Sequence, residues 1–114
     1  MEHKTAARLV IQSCDNDLPG VFGHGRVLLL QGIAREHSLN RAAKSMGIAY
    51  SKAWRIINEA EGQLGCKLIE RDGARGSTLT PAGERAIEVY ETLQGEINNV
   101  IATKANDLIA SIKE

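Results

Sequence analysis

Three residues, Gly47-Ile48-Ala49, separate two helix-period stretches, and so short a joint limits the possible folds more than any other feature of this chain. Before it, Leu39, Ala42, Ala43 and Met46 recur at i, i+3, i+4 and i+7, with Ser38 placed as N-cap. Gly47 closes that helix, because a glycine just past a helix end turns left-handed at no Cβ cost. Ile48 is expected to tuck inward. Beyond the joint, Ala53, Ile57, Ala60 and Leu64 make the apolar stripe of a helix from Tyr50 to about Leu64, with Trp54 at the edge of the core. Its opposite side carries Ser51, Lys52, Arg55, Asn58 and Glu59.

The remaining segments fall around this pair. Residues 4–13 alternate, with Ala7, Leu9 and Ile11 on one side, which predicts a leading strand. Gly20, Gly23 and Gly25 lack the Gly-Lys-Ser/Thr ending of a P-loop and the spacing of a dinucleotide fingerprint, so they read as a flexible entry to the first helix. That helix is predicted over 26–37, followed by 38–46 and 50–64. A hairpin is predicted over 66–79, its tip at Asp72-Gly73-Ala74-Arg75-Gly76. Thr80-Pro81 then starts a last helix, with Thr80 as N-cap and Pro81 at its first position. It runs to about Lys113, roughly 50 Å at 1.5 Å per residue, which is too long to cover one small core.

Strand, helix, helix, tight turn, helix, hairpin and long helix is the order of a winged helix-turn-helix. The fold class expected is therefore mainly α with a small β wing, plus a long C-terminal dimerisation helix. Residues 1–80 would form the DNA-binding unit and 81–114 the dimerisation helix of the same domain. A chain of 114 residues is enough for one such domain. Its 14 Lys+Arg and 14 Asp+Glu cancel, but they are not evenly spread. Arg41, Lys44, Lys52 and Arg55 occur with no acid between them, whereas acids outnumber bases from Glu84 onward. Phosphate attraction acts over about 8–10 Å in physiological salt, so one basic face suffices. The expected DNA-binding residues are Arg41 and Lys44 on the second helix, Tyr50, Ser51, Lys52 and Arg55 on the third, and Arg75 at the hairpin tip. Glu59 and Glu61 confine base reading to the N-terminal half of the third helix.

The run Ser38-Leu39-Asn40-Arg41-Ala42-Ala43-Lys44-Ser45-Met46-Gly47-Ile48 resembles the DNA-binding segment shared by LysR-type and ModE-type bacterial regulators. So do Gln63-Leu64-Gly65-Cys66-Lys67-Leu68-Ile69-Glu70-Arg71 and Leu79-Thr80-Pro81-Ala82-Gly83-Glu84. Tyr50-Ser51-Lys52-Ala53-Trp54 and the strand-like lead resemble the ModE, molybdate-responsive type more. The resemblance covers about Gly25 to Tyr90 and implies a sequence-specific, double-stranded DNA-binding transcriptional regulator. There are two departures. Ala49 stands where both families commonly place a capping Ser, for which Ser51 could partly substitute. The chain also stops at Glu114, before any oxyanion-binding domain, so a stand-alone reader is expected, molybdate binding is not, and the effector stays unassigned.

On the last helix, Ala86, Tyr90, Leu93, Ile97 and Val100 step by 4, 3, 4 and 3, the seam of a left-handed helix pair. Ile101, Ala105, Leu108 and Ile112 continue it after a shift of one residue. A homodimer is expected, with Tyr90, Leu93, Ile97, Ile101, Leu108 and Ile112 in its interface. The alternative is a winged-helix protein-interaction module that never touches DNA, which explains the fold but not the basic pattern. Scattered His3, His24 and His37 offer no catalytic or metal-binding spacing, so no enzyme, metal or cofactor is expected. Cys14 and Cys66 are expected as reduced packing thiols. With Val27-Leu28-Leu29-Leu30 as the longest aliphatic run and no leader pattern, the expectation is a soluble, cytoplasmic protein without membrane contact.

Overall fold

The computed structural model describes residues 3–73 and 76–113. Three helices form first: α1 (His24–Glu36), α2 (Leu39–Ser45) and α3 (Tyr50–Leu64). A two-stranded antiparallel wing follows, β1 (Ile69–Arg71) and β2 (Ser77–Leu79), paired Ile69 to Leu79 and Arg71 to Ser77. Helix α4 (Pro81–Ala110) then continues into a 3-10 turn at Ser111–Lys113. The architecture is a winged helix-turn-helix with a long C-terminal helix.

Local chemistry sets the ends of these elements. Ser38 Oγ accepts the Arg41 N–H at 3.1 Å and caps α2. Gly47 has φ +69, and the Ile48 N–H reaches back to the Ala43 carbonyl at 3.0 Å, so the helix stops at the joint. Thr80 Oγ1 accepts from Gly83 N–H at 2.9 Å and donates to the Lys67 carbonyl at 2.7 Å, which starts α4 and ties it to the wing. Gly83 sits so close to Leu68 that an added Cβ would collide with the Leu68 carbonyl. A glycine is required there for the helix to dock.

The core gathers Val27, Leu29, Leu30 and Ile33 of α1, Leu39, Ala42 and Ala43 of α2, and Ala53, Ile57 and Ala60 of α3. Leu68, Ile69, Phe22 and Tyr90 close it. Small residues let α1 and α2 approach closely, since a Cβ on Gly32 would stand 3.1 Å from that of Ala42. Phe22 lies in the glycine-containing stretch expected to be a flexible entry, yet it is buried and meets Tyr90 edge-on, ring centroids 6.0 Å apart. That stretch is a core plug.

The strand expected over residues 4–13 does not form. Only Ile11 pairs, exchanging backbone hydrogen bonds with Phe22 at 2.9 and 2.8 Å. Alternation survives, with Leu9, Ile11 and Ser13 more sheltered than their neighbours, but the ladder does not extend beyond Ile11. Side chains hold it instead. Gln94 accepts the Leu9 N–H at 2.8 Å and donates to the Ala7 carbonyl at 2.8 Å, and the Tyr90 hydroxyl donates to the Leu9 carbonyl at 2.8 Å. Gln63 takes the Ser13 N–H at 2.6 Å and shares its amide hydrogens among the carbonyls of Leu18, Pro19 and Gly20.

Tyr90 is therefore a core residue of its own domain, only 2% exposed, and not a seam residue as the heptad spacing suggested. From Gly95 to Lys113 no residue is buried. The radius of gyration, 17.3 Å, exceeds the roughly 13 Å of a compact chain this long because α4 projects beyond the core. Cys14 and Cys66 are exposed free thiols and not packing residues, the first in a turn and the second between α3 and the wing. Among the described residues, no helix is long and apolar enough to cross a membrane, and no group of three or more His, Cys, Asp or Glu converges as a metal site.

Candidate nucleic-acid interface

The apolar stripe of α3 is anchored by Ala53, Ile57 and Ala60, all fully buried, so its opposite face must point outward. Ser51, Lys52 and Arg55 are exposed on that side, Tyr50 is exposed at the first turn of α3 in phase with the buried stripe, and Arg41 and Lys44 are exposed on α2. Fixing α2 against α1 through Ala42 and Ala43 thus sets the outward direction of Arg41 and Lys44. Arg75, expected at the wing tip, lies outside the described residues.

The acids on α3 have assigned partners. Glu59, whose side chain is 15% exposed, pairs with Arg26 at 3.4 Å and with Arg55 at 3.7 Å. Glu61 turns toward the wing: its carboxylate accepts the Leu68 N–H at 2.8 Å and the Ile69 N–H at 3.4 Å, with Lys67 at 3.6 Å. Both carboxylates are engaged within the domain, and their negative charge stays at the C-terminal half of α3. The N-terminal half keeps Lys52 and the outer side of Arg55 for a ligand. Ala49 gives α3 no side-chain cap, and Ser51 does not replace it.

Sequence reasoning missed Arg71. Its guanidinium carbon lies 3.9 Å from the centroid of the Trp54 ring, and Tyr50 stands 6.3 Å from the same ring. The signal was present in the period-2 pattern of β1, which puts Arg71 on the same face as Ile69. A notch of about 250 Å³ opens between the starts of α2 and α3 and the wing, lined by Ser38, Asn40, Tyr50 and Arg71 among others. Arg26 was missed as well, because its role depends on Glu59 from a distant turn.

A short bracing helix, an exposed helix beside it and a two-stranded wing define a protein of the winged helix-turn-helix class. Residues 26–84 match the model of the bacterial regulatory helix-turn-helix protein, lysR family, and the chain belongs to that family. It is 33% identical over 102 residues to the molybdenum transport protein ModE of Azotobacter vinelandii, a match spanning 85% of this chain and 38% of that protein. It is 39% identical over 72 residues to the DNA-binding transcriptional dual regulator ModE of Escherichia coli K12, spanning 60% of this chain and 28% of that one. The chain thus covers well under half the length of these relatives. Among solved structures, the BenM DNA-binding domain in its catB site 1 DNA complex superimposes with a TM-score of 0.55 at 25% identity, covering 71% of this chain and 89% of that one. The CbnR DNA-binding domain, also solved with DNA, shares the fold with a TM-score of 0.55 at 22% identity, over 79% of this chain and 97% of that one.

Proposed function

We propose that this chain is the DNA-reading part of a bacterial transcriptional regulator and binds double-stranded DNA sequence-specifically as a homodimer. The observation that carries the reading is the exposed set Arg41, Lys44, Lys52 and Arg55 on α2 and α3, with no acid between them in the sequence. The N-terminal half of α3 enters the major groove, where Lys52 and Arg55 meet base edges or adjacent phosphates with Tyr50 and Ser51 beside them. Arg41 and Lys44 face the backbone, and Arg75 reaches the adjoining minor groove from the wing tip. The regulator name of the Escherichia coli ModE relative and the DNA bound in the BenM complex support this assignment.

Residues 1–80 supply the reading unit and 81–114 the dimerisation helix, with the turns of α4 up to Gln94 shared between the two roles. Leu93, Ile97, Ile101, Leu108 and Ile112, together with Val100, form the seam. Its support is the exposure of Leu93, Val100 and Leu108 on α4 and of Ile112 on the turn that continues it, an apolar stripe that a soluble monomer generally avoids. Two-fold pairing sets two copies of α3 on one face of a duplex.

Titration of a fluorescent duplex across a salt series tests the reading. The logarithm of the association constant should fall linearly with that of salt, by about 0.9 for each phosphate neutralised, and Arg75→Ala should reduce the slope by about one. Binding indifferent to salt, or absent at low salt, would refute the proposal and leave a protein-interaction module.

A further inference from the structure

We propose that Arg71, held in position by the ring of Trp54 and lining the notch between the starts of α2 and α3 and the wing, is a phosphate ligand of the duplex backbone. The inference rests on the DNA-binding reading and extends it to a residue on neither the groove-reading helix nor the wing tip. A helix in the major groove and a wing tip in the minor groove straddle the sugar-phosphate strand that separates them. A cation located between the two elements therefore faces phosphates and not base edges.

The geometry around Arg71 suits that role. Its guanidinium carbon lies over the indole, 3.9 Å from the ring centroid, which holds the cation in place without using up its N–H donors in hydrogen bonds. Arg71 is exposed, and the ion pairs formed among the described residues do not include it. A guanidinium held over a ring and free of those ion pairs keeps a planar fork of donors that matches a phosphate oxygen pair.

The backbone carrying Arg71 is also fixed. Its strand partner Ser77 donates its N–H to the His37 carbonyl at 3.0 Å, anchoring β2 to the junction of α1 and α2. Gly76 lies against the same carbonyl, where an added Cβ would collide. Tyr50, on the first turn of α3, is 6.3 Å from Trp54 and lines the notch with Arg71, so helix and wing present polar groups to one space. Trp54 is a positioning residue here: it meets the guanidinium and not the DNA.

The full chain gives two independent readouts, because Trp54 is its only tryptophan and its emission reports the stack directly. Arg71→Gln should change that emission in the free protein. On one duplex it should also weaken binding roughly tenfold and reduce the salt slope by about 0.9. Arg71→Lys should keep the wild-type slope while losing several-fold in affinity, since an ammonium retains the charge but not the planar fork. A wild-type slope in Arg71→Gln, even with weakened binding, would reduce Arg71 to a brace for the wing and overturn the proposal. If the wild-type protein itself shows no salt-dependent duplex binding, the DNA reading fails first, and this inference with it.

Discussion

Leu108→Asp separates association from folding, because Leu108 is 65% exposed in the single chain and contributes little to its core. Fully burying a leucine side chain gains about 1.5–3 kcal/mol, so covering the exposed part at a helix seam gains about 1–2 kcal/mol per copy. Two-fold symmetry doubles the loss, and a carboxylate in the same place must also be desolvated or leave the seam open. The sum is on the order of 3 kcal/mol or more, at least a hundredfold in the dimer dissociation constant. Light scattering at micromolar concentration should give twice 12.4 kDa for the wild type and a monomer for the variant. Helical circular dichroism should show the winged domain still folded. A wild-type monomer, or a variant that dimerises as tightly as the wild type, would refute the seam.

Tyr90→Phe should behave in the opposite way: losing the hydroxyl bond to Leu9 lowers unfolding free energy in urea by about 0.5–1.5 kcal/mol without weakening self-association. Equal stability would show that this bond contributes nothing. Gly83→Ala forces a methyl against the Leu68 carbonyl and should cost about 1–3 kcal/mol or more, read as a lower thermal midpoint; an unchanged midpoint contradicts the tight docking of α4 on the wing. Gly95→Ala meets nothing within 4 Å and should stabilise the helix by up to about 1 kcal/mol, so a loss of stability would mean that the position is covered. Arg55→Ala should relax base preference by about 1–3 kcal/mol in a binding-site selection, and retained specificity would remove Arg55 from base reading.

Features governed by neighbouring residues were legible in the sequence. Ser38, Gly47 and Thr80 cap or stop their helices as expected, because a cap depends on residues within one turn. The start of α3 and its apolar stripe follow from period alone. Long-range pairing was not legible. Alternation over residues 4–13 indicated which side chains turn inward, but a strand also needs a partner along its length, and the segment pairs only at Ile11, with Phe22. Tyr90 fits both a heptad seam and a core position, and only the placement of Phe22 and Leu9 decides between them. Glu61 looked like a charge opposing DNA, whereas it serves the backbone of Leu68 and Ile69 across the turn that follows α3. Arg71 escaped notice because its significance depends on Trp54, which period alone leaves at the edge of the core.

Selection of binding sites from randomised duplexes, followed by hydroxyl-radical footprinting on the selected sequence, tests the account most directly. A dimer presenting two copies of α3 should enrich an imperfect palindrome with two protected half-sites on one face, about 34 Å apart or a multiple of that. Absence of any enriched sequence would contradict specific reading by α3, and a single unrepeated half-site would contradict the dimer.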